Sequence, residues 1–178
     1  MYATILTETS FIISILVFTN EEEYNMDTCS IVNKSTLHLV GVPYCGPYSS
    51  FPDEAIRLQT DFLARKHELN HVIQSNVMYC PYFGNEAYAT YWACFESQYN
   101  EDPLPPGMVA ITIPMHRYAS VSSSSQRMGE GYEMLKAWME EHNYKKLDQA
   151  VSLEIYYLEG QHWEEEIVDI LIPIEDEA

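Results

Sequence analysis

The chain has 178 residues and a formal net charge of −18, from 27 Asp+Glu against 9 Lys+Arg. With 47% apolar and 13% aromatic residues it has the material for a sizeable core, which excludes a disordered polyanion. It lacks the Lys and Arg excess that neutralises nucleic-acid phosphates, so the charge points instead to cationic ligands, a basic protein partner or plain solubility.

Residues 1–25 stand apart from the rest. The apolar run Phe11 to Phe18 (FIISILVF) spans eight residues, well short of the roughly 20 that cross a bilayer. No Lys or Arg precedes it, and Asn20, Glu21, Glu22 and Glu23 follow it in place of a small-residue cleavage site, so it does not read as a signal peptide. Without an export signal the expected location is the cytoplasm. The segment is either an extra strand or an extension upstream of a domain that begins near Met26. The second is favoured, because the pattern after Met26 is complete without it.

From Ser30 onward one order of elements is written twice. Ile31-Val32 and Thr36 to Val42 (TLHLVGV) read as short strands ending at Gly41 and Pro43, followed by a loop over Cys45 to Ser50. Pro52 opens a helix with Asp53 and Glu54 in its first turn, and Ala55, Leu58, Phe62 and Leu63 form its apolar stripe. Asn76 to Tyr82 and Tyr88 to Glu96 are strands, and Ser97 to Gly107, with three prolines, is a linker. In the second half Met108 to Ile113 and Arg117 to Ser122 are strands. Ser123, Ser124 and Ser125 offer N-caps to a helix over Gln126 to His142, striped by Met128, Tyr132, Leu135 and Met139. Ala150 to Tyr157 and Glu165 to Ile172 close the chain, joined by Glu159-Gly160-Gln161. The pattern predicts one α+β domain over 26–178, made of duplicated β-α-β-β units: repeat one over 30–96, a linker over 97–107 and repeat two over 108–174.

Such an order predicts an antiparallel sheet with two helices on one face and a ligand groove on the other. Strand alternation assigns Val151, Leu153, Ile155 and Tyr157 to the helix side, with Val168, Ile170 and Ile172, and with Tyr91, Ala93 and Phe95. The groove side then holds Glu154, Tyr156, Trp92, Asp169, Ile167 and Leu171. Aromatic walls around a few acids suit a lipophilic cation: the rings supply area and cation–π attraction, and the carboxylate supplies the counter-charge.

Other chemistry is thinly represented. Cys29, Cys45, Cys80 and Cys94 show no CxxC pair and no zinc spacing, so they read as free thiols. His67, Glu68 and His71 spell H-E-L-N-H, which matches the zinc-protease pattern, but they fall where the first helix is ending and have no convincingly spaced third ligand. No metal site and no cofactor is expected, since Gly-rich phosphate loops and a G-x-S-x-G elbow are also missing.

Several segments together resemble the GyrI-like effector-binding domains. They are Leu39-Val40-Gly41-Val42, Ile111 to Pro114 before Arg117 to Val121, Leu153-Glu154-Ile155-Tyr156, and the closing Glu166 to Ile174 (EIVDILIPI). The resemblance covers about Ser30 to Ile174. It implies a pseudo-twofold fold with a groove between the repeats that takes bulky, often cationic or aromatic molecules, as in multidrug binding. It places the family's pocket acid on Glu154, its neighbouring aromatic on Tyr156, and first-repeat aromatics near Tyr91 and Trp92. Ser122 to Ser125 depart from the His or Gly that members often carry there, which affects local pocket shape.

Many members sit behind a helix-turn-helix domain in transcription regulators. The segment before Ser30 is too short and too acidic for one, so a stand-alone sensor or sequestering protein is the expectation. The resemblance implies two alternatives. One is a hydrolase of strained-ring toxins with Glu154 as general base and Tyr156 as donor to the leaving group. The other is an acidic inhibitor of a DNA enzyme such as gyrase, with Glu21–Glu23, Glu164–Glu166 and Glu175–Glu177 as the densest charge. Binding without turnover is favoured over both.

Overall fold

The structure, a computed structural model, describes residues 28–85, 87–98, 103–158 and 166–175. Its strands are β1 (Ser30–Lys34), β2 (Leu37–Pro47), β3 (Val77–Gly84), β4 (Tyr88–Glu96), β5 (Val109–Ile113), β6 (His116–Ser124), β7 (Ser152–Tyr157) and β8 (Ile167–Pro173). Helix α1 (Asp53–Ala64) lies between β2 and β3, and α2 (Met128–Glu141) between β6 and β7. The eight strands form one sheet in the order β1-β6-β8-β7-β3-β4-β2-β5. Every pairing is antiparallel. The fold is therefore α+β, as the duplicated pattern predicts.

The two units meet along the β3–β7 seam and exchange their outer strands. Chain neighbours β1 and β2 do not pair with each other: β1 pairs with β6, and β5 with β2. Each half thus closes its sheet with a strand from the other half's stretch of sequence. Strand β2 also runs on through the expected loop at Cys45 to Pro47, because the β2–β4 ladder continues to the pair Pro47↔Tyr88.

Both helices lie on one face, and each is placed by an apolar stripe. Helix α1 starts after Pro52 with Asp53 and Glu54 at its positive end, and buries Leu58, Gln59 and Phe62. The Phe62 ring sits 5.0 Å from that of Phe95 on β4. Helix α2 buries Leu135 and Met139 against Ala119 and Val121 of β6 and Ile170 and Ile172 of β8. Its close approach depends on Gly131, where a Cβ would stand 2.8 Å from Ile170 Cδ1 and 3.1 Å from Ser123 Cβ.

The serine run does not cap this helix. Strand β6 extends to Ser124, a 3₁₀ turn covers Ser125–Arg127, and the N-cap is Arg127 with no side-chain cap bond. The hydroxyl of Ser122 instead donates to Asp169, and that of Ser123 to the Arg127 carbonyl at 3.3 Å. No helix among the described residues is long and apolar enough to cross a membrane.

Candidate functional site

The alternation in β7 selects the opposite face from the one expected. Leu153, Ile155 and Leu171 pack with Leu39, Cys94 and Tyr118 on the face away from the helices. Glu154 and Tyr156 therefore point toward the helices, where Tyr156 packs with Met78, Tyr91 and Phe62. The reason lies in the burial of β7, which runs from Ser152 to Tyr156 without an exposed residue. A strand covered on both faces carries no solvent side to orient it.

Glu154 is 9% exposed and sits at the centre of a tyrosine cluster. Its Oε2 accepts hydrogen bonds from the hydroxyls of Tyr91, at 2.7 Å, and Tyr156, at 3.0 Å. Its Oε1 accepts one from Tyr132 of α2 at 2.7 Å. The amide of Gln59 on α1 donates to the Tyr91 oxygen at 2.7 Å and approaches the Cys80 sulfur at 3.6 Å. Each element supplies one part: β7 the acid and Tyr156, β4 Tyr91, α2 Tyr132, α1 the orienting amide. Cys80 of β3 faces Glu154 across the seam.

Burial pushes the Glu154 carboxyl above its ordinary range, against the hydrogen bonds from Tyr132, Tyr91 and Tyr156, which favour the charged form. Burial likewise drives the three phenols well above their ordinary value, so they remain donors at any ordinary pH. The Cys80 thiol is pushed up the same way, which makes it a neutral neighbour rather than a nucleophile. No cationic side chain among the described residues pairs with Glu154; Arg57, Arg65 and Arg127 pair instead with Glu54, Glu68 and Glu130 three residues away in their own helical turns. A ring chain leads outward from the cluster: Tyr91 to Phe51 at 6.1 Å, then Phe51 to Tyr44 at 5.7 Å.

The predicted residues thus divide. Glu154, Tyr156 and Tyr91 come together. Trp92, Asp169, Ile167 and Leu171 do not join them, because they lie on the opposite face. There Asp169 accepts from Ser122 and from Tyr157, the latter at 2.7 Å, and Trp92 packs against the cluster that holds Leu39, Cys94 and Leu153. The Tyr156 hydroxyl is spent on Glu154. Gln59 and Tyr132 join the cluster without being candidates in the sequence pattern. The signal was present in both cases: a polar group within an otherwise apolar helix stripe. Tyr132 falls in the packing stripe of its helix, and Gln59 falls between Leu58 and Phe62 in the other.

The H-E-L-N-H segment is not one helix face. Helix α1 ends at Ala64; His67 lies in a 3₁₀ turn with Nδ1 3.1 Å from the Ala64 carbonyl, and Glu68 pairs with Arg65 at 2.7 Å. Among the described residues no group of three or more His, Cys, Asp and Glu is placed to hold a metal ion.

An antiparallel sheet of two β-α-β-β units, with an acid and phenols gathered under two helices, defines the class: this is a GyrI-like effector-binding domain. The chain belongs to the family of the integron-associated effector binding protein Cass2, whose model matches residues 30–174. Comparison with curated proteins gives no match. Among solved structures it is similar to SAV2435 bound to tetraphenylphosphonium, with 12% identity, a TM-score of 0.63, and coverage of 83% of this chain and 94% of that one. The EcmrR C-terminal domain shares 13% identity at a TM-score of 0.60, covering 83% and 97%. The integron cassette protein VCH_CASS2, from the mobile metagenome of Vibrio cholerae, shares 14% at 0.56, covering 83% and 95%. At these identities the likeness is one of fold.

Proposed function

We propose that this protein binds a bulky lipophilic cation between its two repeats, with Glu154 as the counter-charge and Tyr91, Tyr132 and Tyr156 as its polar and aromatic surroundings. One observation carries the reading: a buried carboxylate is held by three phenols and no cation. Such a group is costly to ionise alone, and a ligand cation relieves that cost while the rings contribute area and cation–π attraction. The tetraphenylphosphonium in SAV2435, a structure of the same fold, supports this choice of ligand class. The same phenols weigh against general-base catalysis, because they already take most of the carboxylate's acceptor positions. A water activated there has only the one remaining position on Oε1.

Binding of tetraphenylphosphonium and of neutral triphenylphosphine oxide, followed by calorimetry and thermal shift, tests the proposal. A ligand of the native state raises Tm. Glu154→Gln is expected to weaken the phosphonium more than about tenfold and to leave the neutral compound nearly unchanged. Equal phosphonium affinity in both proteins removes Glu154 from the site.

A further inference from the structure

We infer that the three phenols around Glu154 make the site selective for cations without N–H donors, such as phosphonium and quaternary ammonium ions, and that Tyr132 sets this preference. The inference rests on the cation-binding reading above and narrows its ligand class.

An ionised carboxylate offers about four acceptor positions. Tyr91 and Tyr156 occupy Oε2, and Tyr132 occupies one position on Oε1. The Tyr91 oxygen is itself engaged by Gln59. The buried neighbours Met78, Cys80 and Phe62 offer sulfur or ring surface and no strong acceptor. A primary ammonium brings three N–H donors and a guanidinium five. One donor finds the remaining position on Oε1; the others are left to neutral hydroxyl oxygens such as that of Tyr82, which offset the loss of water less well than a carboxylate does. A donor-free onium has no hydrogen bond to replace. Its charge is felt by the carboxylate without displacing a phenol, and its carbon surface meets the rings.

Tyr132 is the lever because, among the described residues, it alone donates to Oε1. It also comes from α2, where its partly exposed ring packs edge-on to Tyr82 at 6.2 Å, whereas Tyr91 and Tyr156 are strand residues built into the core. Tyr132→Phe keeps the ring and frees an acceptor position.

The test compares two planar cations of similar size and equal charge, donor-free 10-methylacridinium and N–H-bearing 9-aminoacridinium, titrated at pH 8 into wild type, Tyr132→Phe and Glu154→Gln. Wild type is expected to favour 10-methylacridinium by about tenfold or more, and Tyr132→Phe to narrow this to about threefold by strengthening 9-aminoacridinium. If Tyr132→Phe does not fold, Tyr156→Phe frees a position on Oε2 and is expected to narrow the preference likewise. Equal affinities in wild type, both weakened by Glu154→Gln, overturn the selectivity and leave cation binding standing. Affinities indifferent to Glu154→Gln overturn both. A preference unchanged in the folded phenylalanine variant shows that the acceptor positions do not set it, and overturns the role of Tyr132.

Discussion

The two repeats carry the same order of elements over different cores. Helix α1 rests on rings: Phe62 against Phe95, with Phe51 bridging Tyr44 and Tyr91. Helix α2 rests on aliphatic side chains and small residues, its Leu135 lying over Val121, Ile170 and Ala119 and its Gly131 admitting close contact. At the seam the difference becomes chemical. The position on β3 that faces Glu154 carries Cys80, a buried neutral thiol. Across the β3–β7 seam the duplicated frame therefore holds one carboxyl group rather than two. The first repeat supplies Tyr91 and the amide that orients it, and the second supplies the acid and two phenols. Neither half has the site alone.

The two halves differ most in what an added methyl group meets at their glycines. A Cβ at Gly41 of β2 overlaps the Ala93 carbonyl oxygen and comes within 2.6 Å of Cys94 Cα, and backbone cannot step aside. Gly41→Ala is expected to cost about 3 kcal/mol or prevent folding, whereas Gly131→Ala meets the movable tip of Ile170 and is expected to cost about 1 kcal/mol. Urea denaturation of the two variants measures the contrast; equal losses mean that α2 is as rigidly seated as the β2–β4 ladder. At the seam, Glu154→Gln is expected to cost about 1.4 kcal/mol or more in cation binding. Cys80→Ala, on the other side of the seam, is expected to change it less than about threefold, and a larger effect makes the thiol part of the site.

Stability against pH tests the buried acid itself. Its folded-state value lies above the ordinary 4.5, so the folded protein holds the proton that the unfolded chain releases. Stability contributed by this group is full below about pH 4.5 and falls as pH rises toward the folded value, by at most about 1.4 kcal/mol per unit, then levels. The Tm difference between Glu154→Gln and wild type is expected to grow across that window. A flat difference means that the phenols fully offset the burial. Smaller effects belong to the periphery. Gly129 on α2 has open space around its missing Cβ, and Gly129→Ala is expected to stabilise by about 0.5 kcal/mol in thermal melts. A chain beginning at Met26 is expected to melt cooperatively at an unchanged Tm, since the family match begins at residue 30. Loss of cooperativity assigns residues 1–25 a structural role.

The α+β order was legible because it depends on local signals. Pro52 with Asp53 and Glu54, the stripe Leu58–Phe62, and the alternating runs of β4 and β8 each act over a few residues. Glu154 and Tyr156 were legible as members of one face, since period two is a property of the extended backbone. Which face that was lay beyond the sequence. Alternation defines two sets and labels one of them only where the other meets water, and in β7 both sets are buried. The exchange of β1 and β5 between halves, and the convergence of Tyr91, Tyr132 and Gln59 on one carboxylate, join residues distant along the chain. Those contacts arise only when the sheet brings β4 and β7 to either side of β3. The sequence alone determined that an acid would stand among aromatic rings. The tertiary structure decided that it stands beneath the helices, hydrogen-bonded by three phenols and paired with no cationic side chain among the described residues, because only packing settles which polar groups an interior acid can reach.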